Sequence, residues 1–92
     1  MSVDPEIHID LNSATTERGY ALVRGSLEDL AKLDLTPATA VGRRFCFVQP
    51  DADENGRTGA YIFNGTVAQH PHFGFLAYAD ESGVRWRAQG DA

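Results

Sequence analysis

The residues of this chain best suited to chemistry are packed into one run, Pro50-Asp51-Ala52-Asp53-Glu54-Asn55-Gly56. Asp51, Asp53 and Asn55 stand at alternate positions, so their side-chain oxygens converge on one side of a tight loop. Gly56 permits the sharp bend that such a loop needs. This spacing suits a hard cation such as calcium. The same residues also suit the tip of a β-hairpin, because Asn-Gly is a preferred turn pair and carboxylates keep a tip solvated. The first reading makes the run a ligand site, and the second makes it a charged edge.

Asp51 to Gly56 resembles the first half of an EF-hand calcium loop, with Arg57 placed to add a backbone carbonyl. The resemblance implies a bidentate Glu at the twelfth position and helices on both flanks. Ile62 stands where that Glu belongs, and the flanks are strand-like. The hairpin tip is the expectation, with no metal and no cofactor. A weak calcium-binding module through Asp51, Asp53 and Asn55 is kept as an alternative.

The remaining candidates are sparser. His70-Pro71-His72 offers two imidazoles and His8 a third, but zinc wants three or four convergent ligands and Pro71 splays the pair. Cys46 follows Arg43 and Arg44, a setting that would favour a thiolate. Its place in an alternating strand argues for packing instead. Arg85 and Arg87 flank Trp86, so both guanidiniums lie on the face opposite the indole. With Arg43 and Arg44 on another strand they form a basic strip suited to single-stranded nucleic acid. The plainer reading is a solvated face paired to Asp80, Glu81 or Glu28. Asn64-Gly65-Thr66 is a formal glycosylation sequon. No phosphate-binding loop, zinc-protease helix, nucleophile elbow or paired-cysteine spacing occurs. An enzyme is not expected.

These residues must be positioned by short elements. Glu6 to Leu11 alternates polar and apolar, as a half-buried strand does, and Tyr20 to Arg24 reads as a second strand. A helix is expected over about residues 26–34, with Ser26 as its cap and Asp29 near its free amides. Leu27, Leu30 and Leu33 would line its buried face, and Thr36-Pro37 would end it. From residue 42 onward, four strand-like segments follow: Arg44 to Val48, Ala60 to Ala68, Phe73 to Ala79 and Val84 to Ala88. Phe45 and Phe47 alternate against Cys46, and Gly65 marks a bulge or sharp coil. Eight of the nine aromatics lie between Phe45 and Trp86, which places the core there. Gln89 to Ala92 reads as a frayed end.

Ninety-two residues make one domain, 1–92, with a core over about 6–88. The expected class is mainly β (α+β): a small SH3-like barrel of about five strands over 42–88, with one short capping helix and an N-terminal strand. The single cysteine allows no internal disulfide, the N-terminus lacks the pattern of a signal peptide, and no apolar run would span a membrane. These features suggest a cytoplasmic protein. The net charge of −5 argues against broad binding to phosphate backbones. The expectation is a small acidic, non-enzymatic module that contacts a basic protein partner, such as an inhibitor or immunity-type protein of microbial or phage origin. Asp51, Asp53, Glu54, Asp80 and Glu81 are its expected contact residues. A nucleic-acid-binding module using Arg43, Arg44, Arg85 and Arg87 is the alternative of a different class.

Overall fold

The computed structural model describes residues 4–16 and 18–88, so the sequence readings at the first three residues, Glu17 and Gln89 to Ala92 lie outside the described residues. The chain is mainly β. Six strands run β1 (Glu6–His8), β2 (Gly19–Ala21), β3 (Arg44–Ala52), β4 (Thr58–His70), β5 (Gly74–Ala79) and β6 (Arg85–Ala88). Two helices, α1 (Arg24–Lys32) and α2 (Pro37–Ala40), lie between β2 and β3, and a 3₁₀ turn covers Leu11–Ser13. The strand order is β1-β3-β4-β5-β2, with β1 parallel to β3 and the other pairs antiparallel. β6 pairs with the first part of β4, and β5 pairs with the last part on the same side.

The sheet is open, which corrects the expected SH3-like barrel. Closure would need β1 to pair with β2, and both outer edges are already occupied. On β1, the His8 N–H donates to Asp29 Oδ2 at 2.8 Å, and the His8 carbonyl accepts from Ser26 Oγ at 2.5 Å. Both partners come from α1. On β2, the Thr15 N–H donates to the Gly19 carbonyl, and Ala14 bridges to Tyr20. An edge covered in this way no longer offers a row of free donors and acceptors.

The helix forms about where its composition predicts, but it is turned differently. Val23 is its N-cap, and the Ser26 hydroxyl accepts from the Val23 N–H at 3.1 Å from three residues inside the helix. Asp29 serves β1 instead of the helix amides. Leu30 is fully buried, whereas Leu27 and Leu33 are exposed. A helix docked on a strand edge must turn hydrogen-bonding groups inward, so Ser26 and Asp29 take places that a flat apolar face would have given to leucine. Residue Thr36 ends no helix: it caps α2, with Pro37 at the first helical position, where a missing N–H costs nothing.

Alternation along β3 places Phe45 and Phe47 inward with Ile7, Ile9, Leu30, Phe63, Val67 and Ala77. The rings of Tyr20, Phe63, Phe47 and Phe45 form a continuous row, with centroids 5.1 to 5.8 Å apart. Each fully buried Phe contributes roughly 1.5–3 kcal/mol through apolar burial. Cys46, Ala60 and Ile62 form a smaller cluster on the opposite face. The register runs through Gly65 without the expected bulge, and the glycine serves a close strand approach, since a Cβ there would collide with the Tyr78 carbonyl.

Two substitutions test this frame. Ser26→Ala removes the donor to His8 and the acceptor for Val23, and should cost about 1–3 kcal/mol in a denaturant titration. Asp34 follows α1 with φ of 60°, and its N–H and that of Leu35 donate to Ala31 and Leu30. This is the Schellman ending, where glycine is the unstrained choice. Asp34→Gly should gain about 1 kcal/mol and raise Tm by roughly 4–8 °C.

Candidate functional site

The β3–β4 hairpin carries the acidic run at its tip. Asp53 Oδ1 accepts from the Asn55 and Arg57 amides, both at 2.9 Å, and the Asp53 N–H donates to the Arg57 carbonyl. Gly56 has φ of 77°. Asp53 therefore builds the turn, with its carboxylate turned onto backbone. Asp51 Oδ1 accepts from the Ala52 amide at 2.7 Å, and Asp51 and Glu54 are exposed. Among the described residues, no group of three or more His, Cys, Asp or Glu side chains is arranged to hold a metal ion.

Asp80 and Glu81 lie in the loop between β5 and β6. These two strands run along one edge of β4, and the loop is an excursion between them. Asp80 organises it. Its N–H donates to the Asn64 carbonyl, its Oδ1 accepts from the Ser82 amide and hydroxyl, and its Oδ2 accepts from Arg44 at 3.1 Å. The Ser82 hydroxyl, with Arg44 behind it, holds the Asp80 carboxyl below the ordinary carboxylate range. Glu81 is exposed.

The four arginines of the basic strip are mostly committed within the fold. Arg44 lies 3.7 Å from Asp4 as well as against Asp80. Arg87 pairs with Glu6 at 3.0 Å, and this hydrogen bond raises its already high pKa. Arg85 donates to Asn64 Oδ1 at 2.6 Å, and the Asn64 amide in turn donates to Asp4. The sequon asparagine is thus a link in a polar network across the sheet. Arg43 is exposed and has no side-chain partner among the described residues. With Arg44 it rims a groove of about 420 Å3 whose other walls are Pro5, Leu33, Leu35 and Phe45.

Cys46 is buried beneath this network, on the face opposite Phe45 and Phe47. Burial pushes its thiol pKa up, and Glu6 adds to the rise while Arg87 and Arg85 oppose it. A thiol held protonated is a poor nucleophile. At the other hairpin, His70 Nδ1 accepts from the His72 and Phe73 amides at 3.0 and 3.3 Å. That histidine shapes its own turn.

The acidic tip has a neighbour that sequence reading did not assign to it. Tyr61 and Trp86 are directly opposite on β4 and β6, with ring centroids 5.0 Å apart in an edge-to-face arrangement. The Trp86 ring leans over Gly59, where a Cβ would collide with it. Asp51 is opposite Gly59 across the β3–β4 ladder, on the same face. The clue in the sequence was Gly59 two residues before Tyr61, which leaves open space on an otherwise filled face.

No family model, curated protein or solved structure matches the chain.

The Asp80 network makes a prediction about acid stability. Its folded pKa is depressed, so its contribution is complete above the unfolded carboxylate pKa and is lost as pH falls through the lower folded value. Ser82→Ala should move the Asp80 pKa upward in a carboxyl NMR titration. It should also reduce stability at neutral pH by more than at a pH below the folded value, where the carboxyl is protonated in both states. An equal loss at both pH values would remove the electrostatic explanation.

Proposed function

We propose that the protein is a non-enzymatic binding module that docks against a basic patch on another protein, in the manner of an inhibitor or immunity-type protein. The observation that carries this reading is the unequal use of charge. The sheet cations Arg44 and Arg87 are neutralised by Asp4, Asp80 and Glu6, while Asp51 at the end of β3 and Glu54 and Glu81 in loops stand exposed. With a net charge of −5, the chain presents its excess negative charge outward. A field of this kind steers oppositely charged partners and chiefly raises the association rate.

Within the surface, the roles divide. Asp51, Glu54 and Glu81 are the contact residues. Asp53 and Asp80 belong to the turns that present them. The nucleic-acid alternative is less well supported, because it needs the guanidiniums of Arg44, Arg85 and Arg87 that the fold employs internally. The calcium alternative is weakened in the same way, because Asp53 spends one carboxylate oxygen on two backbone amides.

Affinity capture from the native host tests the proposal, using wild type beside Asp51→Asn/Glu54→Gln. Asp53 is left intact so that the turn survives. The expected result is a basic protein recovered with wild type and depleted with the variant. Once that partner is purified, its association should be about ten-fold slower with the variant at low ionic strength. Equal recovery by both forms would sink the reading, and recovery that disappears on nuclease treatment would favour the arginine alternative.

A further inference from the structure

The acidic tip and the aromatic pair beside it form one surface. In register, Asp51 faces Gly59, Gln49 faces Tyr61, and Tyr61 faces Trp86. All lie on the face that further along the sheet is filled by Phe47 and Phe63. There the face is covered by the core. At the hairpin end it opens, and Tyr61 is 37% exposed with Trp86 half-buried. Because Gly59 has no side chain, the indole occupies the place opposite Asp51. Directly opposite positions on antiparallel strands bring Cβ atoms to about 5 Å, so the Asp51 carboxylate stands beside the indole. One of its oxygens is used by the Ala52 amide, and the residue is exposed.

From this arrangement we infer that Tyr61, Trp86 and Asp51 form a recognition site for a single cationic side chain, Lys or Arg, of a protein partner. This rests on the binding-module reading and names where its energy is concentrated. Two rings set edge to face make a corner, and a cation in it meets the negative face of at least one ring. Asp51 supplies a full charge on the same side, and Glu54 extends the acidic rim toward the tip. Of the neighbouring cations, Arg57 is exposed in the turn that Asp53 closes, beside the site. Arg85 and Arg87 project from the other face, held by Asn64 and Glu6. A Trp and a Tyr with a charged rim are also the usual composition of an interface hot spot. An anionic or neutral apolar segment lacks a partner for Asp51, so charge complementarity selects the basic one.

Trp86 is the chain's one tryptophan, so its emission reports the site directly. The probe is a capped heptapeptide, Gly-Lys-Gly-Lys-Gly-Lys-Gly, titrated into the full chain at low salt, with a glutamate version as control. A saturable change in Trp86 emission is expected with the lysine peptide and none with the glutamate peptide. Asp51→Asn and Tyr61→Leu should each weaken binding by about two- to five-fold, while Tyr61→Phe, which keeps the ring, should not. If Tyr61→Leu does not fold, Asp51→Asn and Tyr61→Phe still decide the matter. Lysine-peptide binding seen by calorimetry, weakened in Glu54→Gln but leaving Trp86 emission unchanged, would overturn the aromatic site and leave the acidic surface standing. Failure of the lysine peptide to bind at all would overturn the site, and the capture experiment would then decide the wider reading separately.

Discussion

The fold depends on two hydrogen bonds between α1 and the edge of β1. Ser26 and Asp29 satisfy the outward carbonyl and amide of His8. β1 is three residues long and pairs with β3 in parallel, which alone is a thin attachment. With α1 acting as the next strand would, β1 becomes an interior element, and Ile7 and Ile9 are held fully buried against Phe45 and Phe47. Among the described residues, Ser26 is the one polar residue that is fully buried in the core, and it also anchors the start of its own helix. Its hydroxyl is satisfied in both directions, which makes burial affordable.

That choice has consequences at distance. Since β1 is closed by a helix and β2 by the segment at Ala14 and Thr15, the two ends of the path β1-β3-β4-β5-β2 are protected, while β6 is a short edge strand paired to β4. The long strand β4 then becomes the centre of the molecule. Its thirteen residues pair on one side with β3 and on the other with β5 and β6 in turn. The gap between β5 and β6 creates the Asp80 loop, and Arg44 reaches across to fasten it. The first part of β4 continues past the helical cover, and this exposes Tyr61 and Trp86 beside the acidic hairpin tip.

Much of this was legible beforehand. The alternation of Phe45 and Phe47 against Cys46 correctly separates the two faces, because a strand's side chains reverse at every residue. Asn55-Gly56 correctly marks a turn, whereas Gly65 marks a close approach of β5 in an unbroken register and not a bulge. The buried side of α1 was not legible. Leucine spacing points to Leu27, Leu30 and Leu33 as a face, and only Leu30 is buried, because the helix meets an edge that needs hydrogen bonds. Thr36-Pro37 was read as an ending when it starts α2, since proline suits the first turn of a helix as well as the residue after one.

By itself, the sequence determined which residues are apolar at which period, where the chain turns, and that its charge is negative in excess. These are local properties, set by steric preference and by the two periodicities of strand and helix. Tertiary structure alone decided which charges are paired within the fold. Arg87 and Glu6 are 81 positions apart and Arg44 and Asp80 are 36 apart, and each pair meets only through the register of strands between them. The same register puts Asp51 beside Trp86. A charged residue's availability depends on what the fold brings within about 4 Å of it, and no local pattern encodes that neighbour.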